Sequence, residues 1–107
     1  MSWAMDELEA RAQAQLNGLH EFSEKLGSIA VRATSPDDLV TAEVDANGAL
    51  TGLWLASGAN ELGATRLGEQ IVATAAMAAQ RAFAQRAAAT DEFNEAFADL
   101  LASRPAT

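Results

Sequence analysis

The stretch from Leu39 to Ala56 constrains this chain more than any other. It reads LVTAEVDA, then Asn47-Gly48, then ALTGLWLA. Asn-Gly between two alternating apolar runs is a strong short-range hairpin signal, because a two-residue turn needs positive φ at both central positions. A turn at Asn47-Gly48 sets the register. Ala46 faces Ala49, Val44 faces Thr51, Ala42 faces Leu53 and Val40 faces Leu55. One surface of the hairpin then carries Val40, Ala42, Val44, Thr51, Leu53 and Leu55, a core face. The other carries Leu39, Thr41, Glu43, Asp45, Leu50, Gly52, Trp54 and Ala56. On that mixed surface Glu43 and Asp45 require water, while Leu50 and Trp54 require cover. A hairpin alone is marginal in water, so the flanking segments must supply the packing.

Upstream, the spacing predicts a helix over residues 3–26. Leu8, Ala12, Leu16, Leu19, Phe22 and Leu26 recur three and four apart. Ser2 is the expected N-cap and Gly27 the expected stop. Such a helix is about 36 Å long at 1.5 Å per residue, so it is expected to project and to have a partner. Ser28–Thr34 alternates as a first strand, and Ser35-Pro36-Asp37-Asp38 is a turn by composition. The sheet is therefore expected to be a three-stranded antiparallel meander with open edges. Ser57–Ala64 is a junction with room for one helical turn. A second long helix is expected from near Thr65 to about Ala89. Thr90-Asp91-Glu92 is expected to cap a new short helix or to mark a kink. Phe93, Phe97, Leu100 and Leu101 then form an apolar stripe before the tail Arg104–Thr107.

At 107 residues the chain is enough for one small domain. Half of it is hydrophobic, but much of that is alanine, which buries little area. Long helices, a thin core and a hairpin apolar on both sides predict a homodimer, since a monomer would expose too much apolar surface. No apolar run reaches the length of a membrane span. The amino end is acidic where a signal peptide would be basic, so the cytoplasm is the expected location. With no cysteine, there is no disulfide framework and no thiolate chemistry.

The formal net charge is −8, from 15 acidic and 7 basic residues. Proteins that neutralise phosphates concentrate Lys and Arg. Here Arg11, Lys25, Arg32, Arg66, Arg81, Arg86 and Arg104 stand singly. The residues of catalysis are equally sparse. His20 is the one histidine, without a nucleophile or an orienting group, and reads as a surface or interface residue. Asp37-Asp38 beside a turn is a weak cation candidate, and Glu43 with Asp45 reads as an exposed strand face. The glycines form no phosphate loop. No enzyme, metal or cofactor is expected. Trp54 is open to three readings: an interface anchor, a nucleic-acid stacking platform, or cover beneath a helix. Leu50, Leu53 and Leu55 join it as candidates for the dimer or partner interface. Phe93 and Phe97 either dock on their own chain or are presented to another protein.

One long helix, SPDDLVTAEVDANGALTGLWL, and a helix containing LGEQIVATAAMAAQRA together resemble the YbaB/EbfC family of bacterial nucleoid-associated proteins. The resemblance covers roughly residues 5–87. It rests on the order of elements, the Asn-Gly hairpin and the Leu67, Ile71-Val72, Ala78-Ala79 pattern, and it looks especially like divergent actinobacterial members. It implies an α+β fold of long helix, three-stranded antiparallel sheet and long helix. Residues 1–89 would form that domain, with residues 90–107 as a short helical extension and tail. It further implies a homodimer held through the sheets, duplex DNA as ligand with little sequence preference, and no cofactor. Arg11, Lys25, Arg81 and Arg86 become the candidate phosphate contacts. Some such members are encoded with type VII secretion systems. The acidic charge therefore leaves an alternative, an adaptor of the same fold that binds another protein instead of DNA.

Overall fold

The computed structural model describes residues 3–102. The order is α1 (Trp3–Gly27), β1 (Val31–Thr34), β2 (Val40–Val44), β3 (Leu50–Leu55), a 3₁₀ turn (Ala59–Leu62) and α2 (Ala64–Ala102). This is the expected α+β arrangement of two helices around a three-stranded sheet. The expected Ser2 cap and the tail from residue 103 lie outside the described residues.

The sheet is an antiparallel meander in the order β1-β2-β3. Val31 pairs with Val44 and Ala33 with Ala42, so the alternating apolar residues of β1 and β2 share one face. The link from β1 to β2 is tied by side chains as well as by proline. Asp37 Oδ1 accepts from the Ser35 hydroxyl at 2.7 Å and from the Leu39 amide at 3.1 Å. The Ser35 hydroxyl in turn accepts from the Val40 amide at 3.0 Å. Gln70 of α2 donates to Asp37 Oδ2 at 2.7 Å, which fastens this turn to the helix.

The second hairpin differs from the expected one at its tip. Val40–Leu55 and Ala42–Leu53 pair as the spacing predicts, but Val44 pairs with Leu50, across a bulge. The turn is not a two-residue turn with two positive φ angles. Gly48 has φ 79°, whereas Asp38 is the only non-glycine with positive φ among the described residues. The Gly48 amide donates to the Asp45 carbonyl, and the Asp45 amide to the Ala49 carbonyl, both at 3.0 Å. The loop thus has three residues, a common alternative that ends on a left-handed glycine and a bulge. Asp45 selects it: Oδ1 accepts from the amides of Asn47 at 2.9 Å and Ala49 at 3.0 Å. The bulge exchanges two expected positions. Leu50 moves to the face shared with Val44, and Thr51 leaves the core face to donate to the Glu43 carboxylate at 3.2 Å.

Helix α2 lies across β1 and β2 but hardly touches β3. Val31, Ala33 and Val44 pack there against Ala78 and Ala82, and Val40, Ala42 and Thr74 are buried as well. The largest fully buried side chains are Val40, Val44 and Thr74, so the core is as thin as the alanine content predicts. Small residues on α2 bring its axis close to the sheet.

Beyond the sheet, α2 runs on for the rest of its 39 residues and pairs antiparallel with α1. Phe22 stacks on Phe93 with ring centroids 4.5 Å apart, and Phe93 on Phe97 at 5.3 Å. Lys25 forms an ion pair with Glu92. No new helix starts at Thr90, because residues 90–102 continue α2. The Thr90 hydroxyl donates back to the Arg86 carbonyl at 2.9 Å instead of capping. The molecule measures 75 × 18 × 16 Å: a small helix-on-sheet body with a two-helix arm.

Candidate nucleic-acid interface

The edge strand β3 is the least covered part of the body. Leu50, Leu53 and Leu55 are 49%, 39% and 48% exposed, although the register puts them on the face that α2 covers elsewhere. Val72 and Phe83 of α2 are exposed too. Among the described residues no strand lies beside the outer backbone edge of β3. An apolar, unpaired edge is a template for a further strand.

Trp54 faces away from α2, so it is not cover beneath that helix. Its ring lies over Gly52, where a Cβ would come within 2.5 Å of the indole. The Arg32 guanidinium sits over the ring at 4.1 Å from the centroid. Arg32 Nε also donates to Glu43 Oε1 at 3.0 Å. This hydrogen bond, with that from Thr51, holds the Glu43 carboxyl below its usual range. Arg32, Glu43 and Trp54 thus form one connected cluster across the outer sheet face, from β1 through β2 to β3, the strand that bears the exposed leucines.

The structure does not gather the four candidate phosphate contacts into one patch. Lys25 is engaged by Glu92 on the arm. Arg11, also on the arm, stands one helical turn from Glu7, and neither Arg11 Nε nor Glu7 Oε2 has a hydrogen-bond partner among the described residues. Arg81 and Arg86 lie on the body. Arg81 Nη2 contacts Met77 Sδ at 3.4 Å, and Arg86 Nη1 donates to Asn47 Oδ1 at 3.3 Å at the hairpin tip. Five residues apart, they are turned about 140° from one another around α2. Both are exposed, as is Arg66.

Charge is divided unevenly. α1 carries Asp6, Glu7, Glu9, Glu21 and Glu24, and the end of α2 carries Asp91, Glu92, Glu95 and Asp99. Against these nine carboxylates the described residues of the arm have only Arg11 and Lys25, which leaves them at −7. The body is close to neutral. The carboxylates singled out in the sheet have structural work: Asp37 and Asp45 bind turn amides and Glu43 binds Arg32 and Thr51. Hydrogen bonds, led by those from Ser35 and Gln70, hold Asp37 below its ordinary pKa. Among the described residues no group of three or more His, Cys, Asp or Glu could hold a metal ion, and His20 is exposed on α1.

Phe93 stacks on Phe22 of α1 and Phe97 on Phe93, so both pack within their own chain, the first of their two expected arrangements. A feature the sequence reading missed is the cleft beside them, of about 170 Å³, along the seam of the arm. Gly18, Ala89 and Ala96 open it. Small residues beside aromatic ones at helical spacing are the signal that could have found it.

No helix of the described residues is long and apolar enough to cross a membrane. No curated protein matches the chain. The sequence model of the YbaB/EbfC DNA-binding family matches residues 1–97, nearly the whole chain, and the helix–sheet–helix order agrees with the resemblance carried by the hairpin and α2. The chain therefore belongs to the YbaB/EbfC DNA-binding family.

Proposed function

We propose that the protein is a homodimeric, non-enzymatic DNA-binding protein of the nucleoid-associated type, with little sequence preference, acting in the cytoplasm. Family membership supports DNA as the ligand. The observation that carries the dimer is the uncovered β3 edge, where Leu50, Leu53, Trp54 and Leu55 are all more than a third exposed. Two such edges, brought together, cover each other's leucines and join the two sheets.

The dimer also bears on DNA binding. Within one chain Arg81 and Arg86 point apart, so the cationic surface is sparse. A two-fold axis doubles each arginine and brings copies from two chains to one side. Phosphate contacts of this kind read the backbone and not the bases, which fits weak sequence preference. The acidic arms repel the duplex, so the body is its seat.

Fluorescence anisotropy with a labelled duplex tests this reading. Binding is expected at about 50 mM salt and is expected to weaken sharply at about 200 mM, as counterion release requires. Replacing both Arg81 and Arg86 with Glu is expected to abolish it. Unchanged affinity in that variant would reject these two residues as the contacts. Absence of binding at the lower salt would reject DNA as the ligand.

A further inference from the structure

The arm is built as an incomplete helical bundle. α1 and the distal part of α2 pack as a pair, and a pair of helices leaves the flanks of its seam open. The aromatic residues that hold the pair, Phe22, Phe93 and Phe97, are each only half-buried. All three line the seam cleft, whose exposed wall is mainly apolar. Two more clefts share lining residues with it, one toward the sheet through Ala89 and Glu92, one toward the tip through Gly18 and Leu100. Together they make a groove along one side of the arm, from Ile29 near the body to Asp99.

The rim selects what can lie in this groove. Glu21, Glu92 and Asp99 border it, and Lys25, the one cation of the rim, is already paired with Glu92. The described residues of a second arm carry the same charge of −7, so that arm is repelled. A nucleic acid is repelled for the same reason. A segment with apolar side chains for the floor and cations for the rim satisfies both parts.

We propose that the seam groove of the arm is a docking site for a basic amphipathic helix of another protein, which completes a three-helix bundle. One apolar side chain of that helix fills the cleft against Phe22 and Phe93. A volume of about 170 Å³ is enough for a benzene-sized group. Its neighbours at i+3, i+4 and i+7 follow the groove, and its Lys or Arg residues meet Glu21 and Asp99. This surface is separate from the body arginines, so the proposal does not depend on the DNA reading.

The test uses the full-length protein and a fluorescein-labelled peptide of about 14 residues, made of Leu and Lys with Leu at i, i+3, i+4 and i+7. A control peptide has the same composition with the apolar face scrambled. The amphipathic peptide is expected to bind saturably, one per chain, and at least about tenfold more tightly than the control. The Glu21→Lys/Asp99→Lys variant is expected to lose about tenfold in affinity while its circular dichroism and its mass by light scattering stay unchanged. A second variant, Ala96→Trp, fills the groove without changing charge and is expected to weaken binding as well. Equal affinity for the control peptide would reduce the effect to net charge and overturn the proposal. So would full affinity in both variants, or a change in oligomeric mass, which would make the groove an interface between copies. A duplex titration of the same variants reports on the DNA reading separately.

Discussion

Gly48 holds φ at 79°, and a Cβ placed there would approach Phe83 Cζ to 2.7 Å. Both facts act in one direction. Gly48→Ala is expected to destabilise the fold by about 1–3 kcal/mol, from left-handed strain and from displacement of the Phe83 ring; urea unfolding of the two proteins measures it. The sequence alone indicates a hairpin tip at Asn47-Gly48 but not the kind of turn, because the deciding group is the Asp45 carboxylate. Its bonds to two loop amides widen the turn by one residue and move Leu50 and Thr51 to opposite faces. Asp37 and Glu43 act at the same scale. Hydrogen bonds depress both carboxyls below their ordinary values of 3.8 and 4.5. A depressed folded pKa means that the stabilisation is complete above the ordinary value and disappears as pH falls through the lowered one. Thermal stability is therefore expected to drop between about pH 5 and pH 3, and to drop less in Asp37→Asn.

At the scale of elements, the helices and strands follow from periodicity, and the departures come where two elements meet. The end of α2 is an example. Thr-Asp-Glu is a good N-cap sequence, and local preference alone would start a helix at Thr90. Docking of Phe93 on Phe22 of α1 outweighs it, and the helix passes through. That contact lies between residues some 70 positions apart, so no local pattern reports it. The groove also needs both helices to exist, and the small residues beside its aromatic ones are the only part of it that the sequence displays. Gly18 lies in α1 at this seam, where an added Cβ would sit 4.0 Å from Leu100 Cδ1, an ordinary contact. Gly18→Ala is thus expected to stabilise the protein by about 0.5–1 kcal/mol through helix propensity, read as a higher midpoint in thermal unfolding. Loss of stability instead would mean that the seam is packed more tightly than this distance indicates.

At the scale of the whole molecule, the body exposes apolar surface at β3 and the arm concentrates charge. The first predicts mass. Light scattering is expected to give twice the 11.2 kDa of one chain, and Leu53→Glu, which places a charge in the uncovered edge, is expected to shift the protein toward monomer. A wild-type monomer at micromolar concentration would remove the β3 edge as an interface. The net charge of −8 is legible from composition; its division is not, because it depends on α1 lying beside the last turns of α2. Since α2 is unbroken from the sheet to the arm, the two parts are one beam. α1 adds a second beam to its outer half, joined by the Lys25–Glu92 pair and the phenylalanine stack. A tilt of α2 by about 5° on the sheet therefore swings the end of the roughly 37 Å α1 by about 3 Å. Any shift in the seat of Ala78 and Ala82 on β1 and β2 is thus geared up at the tip.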